Sequence, residues 1–219
     1  MDTYNADEEL EKLKSWWKSY GNSVITGIVL GVALLGGITY WKHYKTERAS
    51  QASILYDKLV GSAAQPNAKA AVDDGAKLMS DYSATAYAGK AALILAKLSY
   101  DAADVEAARG HLQWAMDHAT ETATRQAARL RLARILIEQK ALDQALTLAD
   151  AGDTDGFVSE FQELRGDILL AQGKKDEARS AYRKALEGLT KGSSYERVLK
   201  MKLADLGADA LAAEAESIK

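Results

Sequence analysis

Charge disappears from the chain between Lys18 and Lys42, and the rest of the pattern is arranged on either side of that gap. Residues 19–41 form a run of about 23 uncharged positions, and its centre (residues 24–40) is mostly Val, Ile, Leu, Ala and Gly. A helix of roughly 20 such residues, rising ~1.5 Å each, crosses the ~30 Å hydrocarbon core of a bilayer. Trp16, Trp17 and Tyr20 precede the run, and Tyr40, Trp41 and Tyr44 follow it. Rings with an apolar body and a polar edge favour the two membrane–water interfaces. The pattern therefore predicts a transmembrane helix over residues 21–41, with Trp16, Trp17 and Trp41 in contact with membrane lipid. A cleaved signal peptide opens on basic residues and carries a shorter apolar run. Here Asp2, Asp7, Glu8, Glu9 and Glu11 come first, so the span is expected to stay as an anchor.

Upstream, Asn5 and Glu8 have the spacing of a helix start. Leu10, Leu13, Trp16 and Tyr20 then recur at helical intervals. Residues 1–20 read as an amphipathic segment with its apolar side at the membrane surface. Downstream, the apolar stripe continues through Ala52, Leu55, Tyr56 and Leu59. The span is expected to run on into the first helix of a second domain, residues 42–206, with a first turn at residues 61–67. Helical periodicity then predicts segments near 68–80, 84–100, 104–118, 122–139, 141–150, 157–172, 175–189 and 194–206. A polar, Ala-rich tail occupies 207–219. No segment alternates with period two, so the fold class is all-α.

The helices repeat. Gly166, Gly173, Ala178, Tyr182 and Ala185 stand where a tetratricopeptide hairpin places its small and aromatic residues. Small residues let two antiparallel helices approach closely, and the aromatic fills the space beside them. Stepping back 33 residues gives Ala133, Ala145 and Ala149, with Lys140 where the turn glycine stood; a further 37 gives Ala96, Ala108, Leu112 and Ala115. This predicts an α-solenoid of tetratricopeptide-like hairpins after the transmembrane helix. Such stacks offer an extended surface for a polypeptide. On the repeat register, Lys97, Tyr100, Arg134, Ile137, Asp167 and Leu170 face it, mixing apolar groups with both charges. That suits tolerant binding of varied segments.

Composition narrows the chemistry. With net charge −3 and no basic cluster, the chain offers nothing for nucleic acid. It has no Cys, hence no disulfide and no thiol chemistry. His111 and His118 are seven apart but match no metal-ligand pattern, and there is no nucleophile motif or phosphate-binding loop. No catalytic site, metal or cofactor is expected. Within the span, Gly27 and Gly31 form a GxxxG, a spacing that lets another helix approach and allows a homo-oligomer. Charge counts flanking the span leave its orientation open.

Several stretches together resemble the YfgM family, the ancillary subunits of the bacterial SecYEG translocon. They are the run Leu13-Lys14-Ser15-Trp16-Trp17-Lys18-Ser19-Tyr20-Gly21-Asn22, Tyr40-Trp41, and Ala49-Ser50-Gln51-Ala52-Ser53-Ile54-Leu55-Tyr56. Tyr87-Ala88, Leu130-Arg131-Leu132-Ala133-Arg134, Leu164-Arg165-Gly166-Asp167 and Met201-Lys202 add to them. The tail beyond Leu206 is longer than the family pattern. The resemblance implies a single-pass inner-membrane protein with a cytoplasmic N-terminus and a periplasmic repeat domain. It further implies a non-enzymatic role beside the translocon, a membrane-anchored periplasmic chaperone related to prolyl isomerases, and unfolded secretory polypeptides. The competing expectation is an oligomeric membrane scaffold that sequesters a signalling protein.

Overall fold

The computed structural model describes residues 3–65, 69–152, 154, 156–189 and 194–207, with side chains from residue 9 onward. The Asn5 and Glu8 side chains, Pro66, Asp153, Asp155 and residues 208–219 lie outside the described residues. Every regular element described is an α-helix. By contact density the chain divides into two units, Met1–Ser50 and Gln51–Lys219.

The first unit consists of the larger part of α1 (Thr3–Ala63), which continues without interruption into the second. Along its most apolar stretch the described side chains have no protein cover. Ile28, Leu30, Leu34 and Leu35 are each at least 60% exposed. A helix of this length and hydropathy can cross a membrane, and none of its most apolar stretch is buried by the chain itself. It is therefore no core helix.

The second unit holds the end of α1 and α2 (Lys69–Asp81), α3 (Ala86–Asp101), α4 (Val105–His118), α5 (Thr122–Glu138), α6 (Leu142–Asp150), α7 (Val158–Ala171), α8 (Lys175–Glu187) and α9 (Ser194–Asp205). The first turn begins later than the sequence predicts. Gly61 and Ser62 are helical, and the turn falls at Ala64 and Gln65. A lone glycine costs a helix only about 1 kcal/mol, and packing of Leu59 and Ala63 against α2 and α3 outweighs it.

Three hairpins, α3/α4, α5/α6 and α7/α8, end their first helix in the same way. Ala103, Lys140 and Gly173 adopt φ of 60°, 60° and 78°. At each, the N–H of the next residue returns to a carbonyl five positions back: Asp104 to Ser99, Ala141 to Leu136, Lys174 to Leu169. This is the Schellman closure, which satisfies carbonyls that a helix end leaves open. In α4, Asp104 then caps the new helix through the Ala107 N–H at 3.0 Å. The degenerate residues at the repeat turn thus conceal a conserved backbone geometry. Lys140 holds the left-handed position that glycine takes more easily.

Each hairpin closes on small residues. Ala108, Ala145 and Ala178 are fully buried. At Gly166, a Cβ would fall 2.4 Å from the ring of Tyr182, so this pair interlocks only because α7 carries no side chain there. The core runs as three linked clusters: Ala52, Leu59, Leu78 and Leu95 first, then Leu112, Leu136, Phe161 and Ile168, then Tyr182, Leu199 and Leu203. Each large apolar side chain so buried contributes about 1.5–3 kcal/mol.

Candidate functional site

The first helices of successive hairpins carry the candidate surface, and it is open where the end of α1 meets α3. Tyr56 and Val60 of α1 and Leu93, Ile94 and Leu98 of α3 line a groove of about 490 Å³. Helical spacing produces it: Tyr56, Val60 and Ala63 share one face of α1, and Ile94, Lys97, Leu98 and Asp101 one face of α3. The Tyr56 ring is fixed by Tyr87, whose centroid lies 5.4 Å away. Val60 remains 46% exposed, so the apolar floor is reachable from solvent.

Charged groups complete the groove: Lys90, Lys97, Asp101 and, from α5, Arg131. Lys97 pairs with Asp101 at 2.5 Å, and Lys90 with Glu121 at 3.2 Å. Arg131 has no acidic partner among the described residues. Tyr100 lies just outside the groove and donates to Glu138 of α5 at 2.5 Å. That bond to a carboxylate raises the phenol above its ordinary pKa.

Further along the same register the surface is engaged internally. Asp167 accepts from the Tyr182 hydroxyl at 2.7 Å and pairs with Lys202 of α9 at 2.6 Å. Lys202 also reaches Glu163 at 2.8 Å, and Glu163 accepts from the Tyr195 hydroxyl. Burial pulls the Lys202 ammonium down, but its bonds to Asp167 and Glu163 more than reverse this and raise its pKa. Burial, then the bonds to Asp167 and Glu163, push the Tyr182 and Tyr195 phenols well up. The network holds α9 against α7 and α8.

Of the six sequence-predicted groove residues, only Lys97 lines the groove. Ile137 is half-buried and packs on the core. Arg134 and Leu170 are exposed, and Asp167 belongs to the α9 network. One spacing, without a turn signature of its own, relates the two walls of the groove. Thirty-seven residues before Lys97, the same step as between Lys140 and Ala103, stands Val60.

In the first unit, a Cβ added at Gly27 or Gly31 would meet nothing within 4 Å, so the GxxxG lies open on the helix surface. Trp16, Trp17 and Trp41 are about half exposed, at 47%, 52% and 56%. Trp16 lies 6.0 Å from Tyr20, Trp41 stacks 6.2 Å from Tyr44, and Lys45 sits over the Trp41 ring at 5.2 Å. Among the described residues there is no group of three or more His, Cys, Asp or Glu arranged for a metal ion. His118 stacks on Trp114 at 4.9 Å. Burial lowers the His111 pKa, which Asp104 partly offsets.

A family described as tetratricopeptide repeat-like domain matches residues 14–208. A Haemophilus influenzae protein named ancillary SecYEG translocon subunit is 31% identical over 91% of this chain and 97% of its own length. Proteins of the same name from Escherichia coli and Neisseria gonorrhoeae are 30% and 28% identical, over 83% and 91% of this chain and 88% and 96% of theirs. No solved structure matches the chain. With the repeat geometry repeated at three hairpins and the likeness running from end to end of the relatives, the chain belongs to the tetratricopeptide repeat-like family of ancillary SecYEG translocon subunits.

Proposed function

We propose that the chain is a non-enzymatic, membrane-tethered helper of the Sec translocon. Its second unit holds short polypeptide segments, while residues 21–41 anchor it in the inner membrane with the N-terminus in the cytoplasm and residues 42–206 in the periplasm. The observation that carries this reading is one chain joining an uncovered, aromatic-flanked apolar helix to a tetratricopeptide-like domain with an open groove. The name shared by the relatives gives the partner, SecYEG. The mixed polar and apolar character of the groove suits emerging secretory polypeptides and a membrane-anchored periplasmic chaperone related to prolyl isomerases. Tethering raises the local concentration of the domain, so modest affinities suffice.

The test uses the full chain in liposomes and carboxymethylated α-lactalbumin, a polypeptide that cannot refold. Saturable binding of this protein, with none of native α-lactalbumin, is expected. No binding to either overturns the polypeptide-holding part. Because the chain lacks cysteine, single cysteines at Ser15 and Ser80 report topology. An impermeant maleimide added outside spheroplasts should label only the second.

A further inference from the structure

We propose that the groove between α1 and α3 is selective, taking a short segment that presents an apolar side chain next to an acidic one. The apolar side chain lies against Tyr56, Leu93 and Ile94, and the carboxylate meets Arg131. This rests on the reading of the second unit as a polypeptide-binding domain and names what that domain prefers.

Charge complementarity identifies the occupant. Three of the four charged lining residues are cations, Lys90, Lys97 and Arg131, against Asp101 alone, in a chain whose net charge is −3. Two cations are already satisfied, Lys97 by Asp101 and Lys90 by Glu121. Arg131 is left as the guanidinium without a carboxylate among the described residues. A guanidinium presents a planar fork of donors that fits a carboxylate better than any other common side-chain group. Its position beside an apolar floor means the incoming carboxylate is partly shielded from water, where the pair is stronger.

Size and rigidity agree. About 490 Å³ holds one or two side chains of a segment, not a folded domain. The floor is set in advance, since Tyr56 packs on Tyr87 at 5.4 Å, and Leu98 and Ile94 pack on the core cluster beneath. A preformed site loses little side-chain freedom on binding.

The test uses the full chain in nanodiscs of neutral phosphatidylcholine. Two ten-residue peptides carrying an uncharged dye are compared by fluorescence anisotropy: one with a phenylalanine flanked by two aspartates, the other identical with lysines for the aspartates. The aspartate peptide is expected to bind about fivefold more tightly. Arg131→Glu, at an exposed position, should abolish or invert that preference. Val60→Asn, a change that adds no charge, should weaken both peptides about tenfold by making the apolar floor polar. Equal affinity for the two peptides, or an Arg131→Glu variant that keeps the preference, overturns the proposal even where carboxymethylated α-lactalbumin still binds. Binding of neither that polypeptide nor the peptides overturns both readings. A third outcome also refutes it: Arg131→Glu leaves the peptides unaffected but lowers association with phosphatidylglycerol vesicles, which would assign the cations to a lipid surface.

Discussion

Gly166→Ala is a one-carbon substitution that tests the helix-packing logic directly. The new Cβ would lie 2.4, 2.5 and 2.9 Å from three atoms of the Tyr182 ring. That ring is fully buried at 1% exposure, and its hydroxyl is tied to Asp167 at 2.7 Å, so it cannot swing aside freely. Overpacking of this kind costs about 3 kcal/mol. Displacing the ring also weakens the bond to Asp167, by about 1 kcal/mol. The gain in helix propensity from Gly to Ala offsets about 1 kcal/mol. The net expectation is a loss of about 3 kcal/mol, or a Tm lowered by roughly 6–12 °C for a domain of this size. The assay is thermal unfolding of the full chain in detergent, followed by circular dichroism at 222 nm. The α3/α4 hairpin shows another solution at the equivalent places, Ala96 and Leu112, both buried in one core cluster. Combining Gly166→Ala with Tyr182→Leu should therefore recover about 2 kcal/mol relative to the sum of the two single changes. Additivity within about 0.5 kcal/mol would refute the interlocking pair.

The remaining predictions are read by thermal unfolding, with hydrogen exchange added for one of them. Lys140→Gly relieves a side chain at φ 60° and should raise stability by about 1 kcal/mol, whereas Gly173→Ala should lower it by a similar amount. Lys202→Met leaves Glu163, whose side chain is 7% exposed, without its cation. It should cost about 2 kcal/mol and speed hydrogen exchange in α9 before α3. The folded-state pKa of His111 lies below its usual value. Stability linked to it is therefore present above pH 6.5 and falls as pH drops toward the folded pKa, because the unfolded chain binds the proton more readily. His111→Gln should flatten the decline in Tm between pH 7 and pH 5.

Helices α2–α9 were legible because apolar positions at 3.6-residue intervals and short polar connections mark them. Glycine and alanine at fixed steps marked the three hairpins. Two features were not legible. Glycine at position 61 suggested a turn, but burial of Leu59 and Ala63, a tertiary effect, carries the helix past it. The three repeats are marked by their turns, and the end of α1 has no turn signature to identify it as a preceding unit. Nothing in the local pattern therefore singles out Tyr56, Val60, Leu93, Ile94 and Arg131, while Ile137 and Asp167, at matching register, face internal partners. Which of several equivalent positions stays open depends on the neighbouring helix, and local pattern does not contain that. The span is the opposite case: its exposed Ile28, Leu30 and Leu35 follow from composition alone.

The central claim joins two contacts, the span with a membrane partner and the groove with a polypeptide. Site-specific photo-crosslinking of the full chain in native membranes tests both. Probes at Val29 in α1 and at Tyr100 and Leu170, exposed at 60%, 41% and 38%, are joined by one at Val60. The account predicts adducts from Val29 to translocon subunits and from Val60 and Tyr100 to secretory polypeptides or a membrane-anchored chaperone, with fewer from Leu170. Adducts from Val29 only to a second copy of the chain, with none from the other three positions, would contradict it and point to an oligomeric scaffold instead.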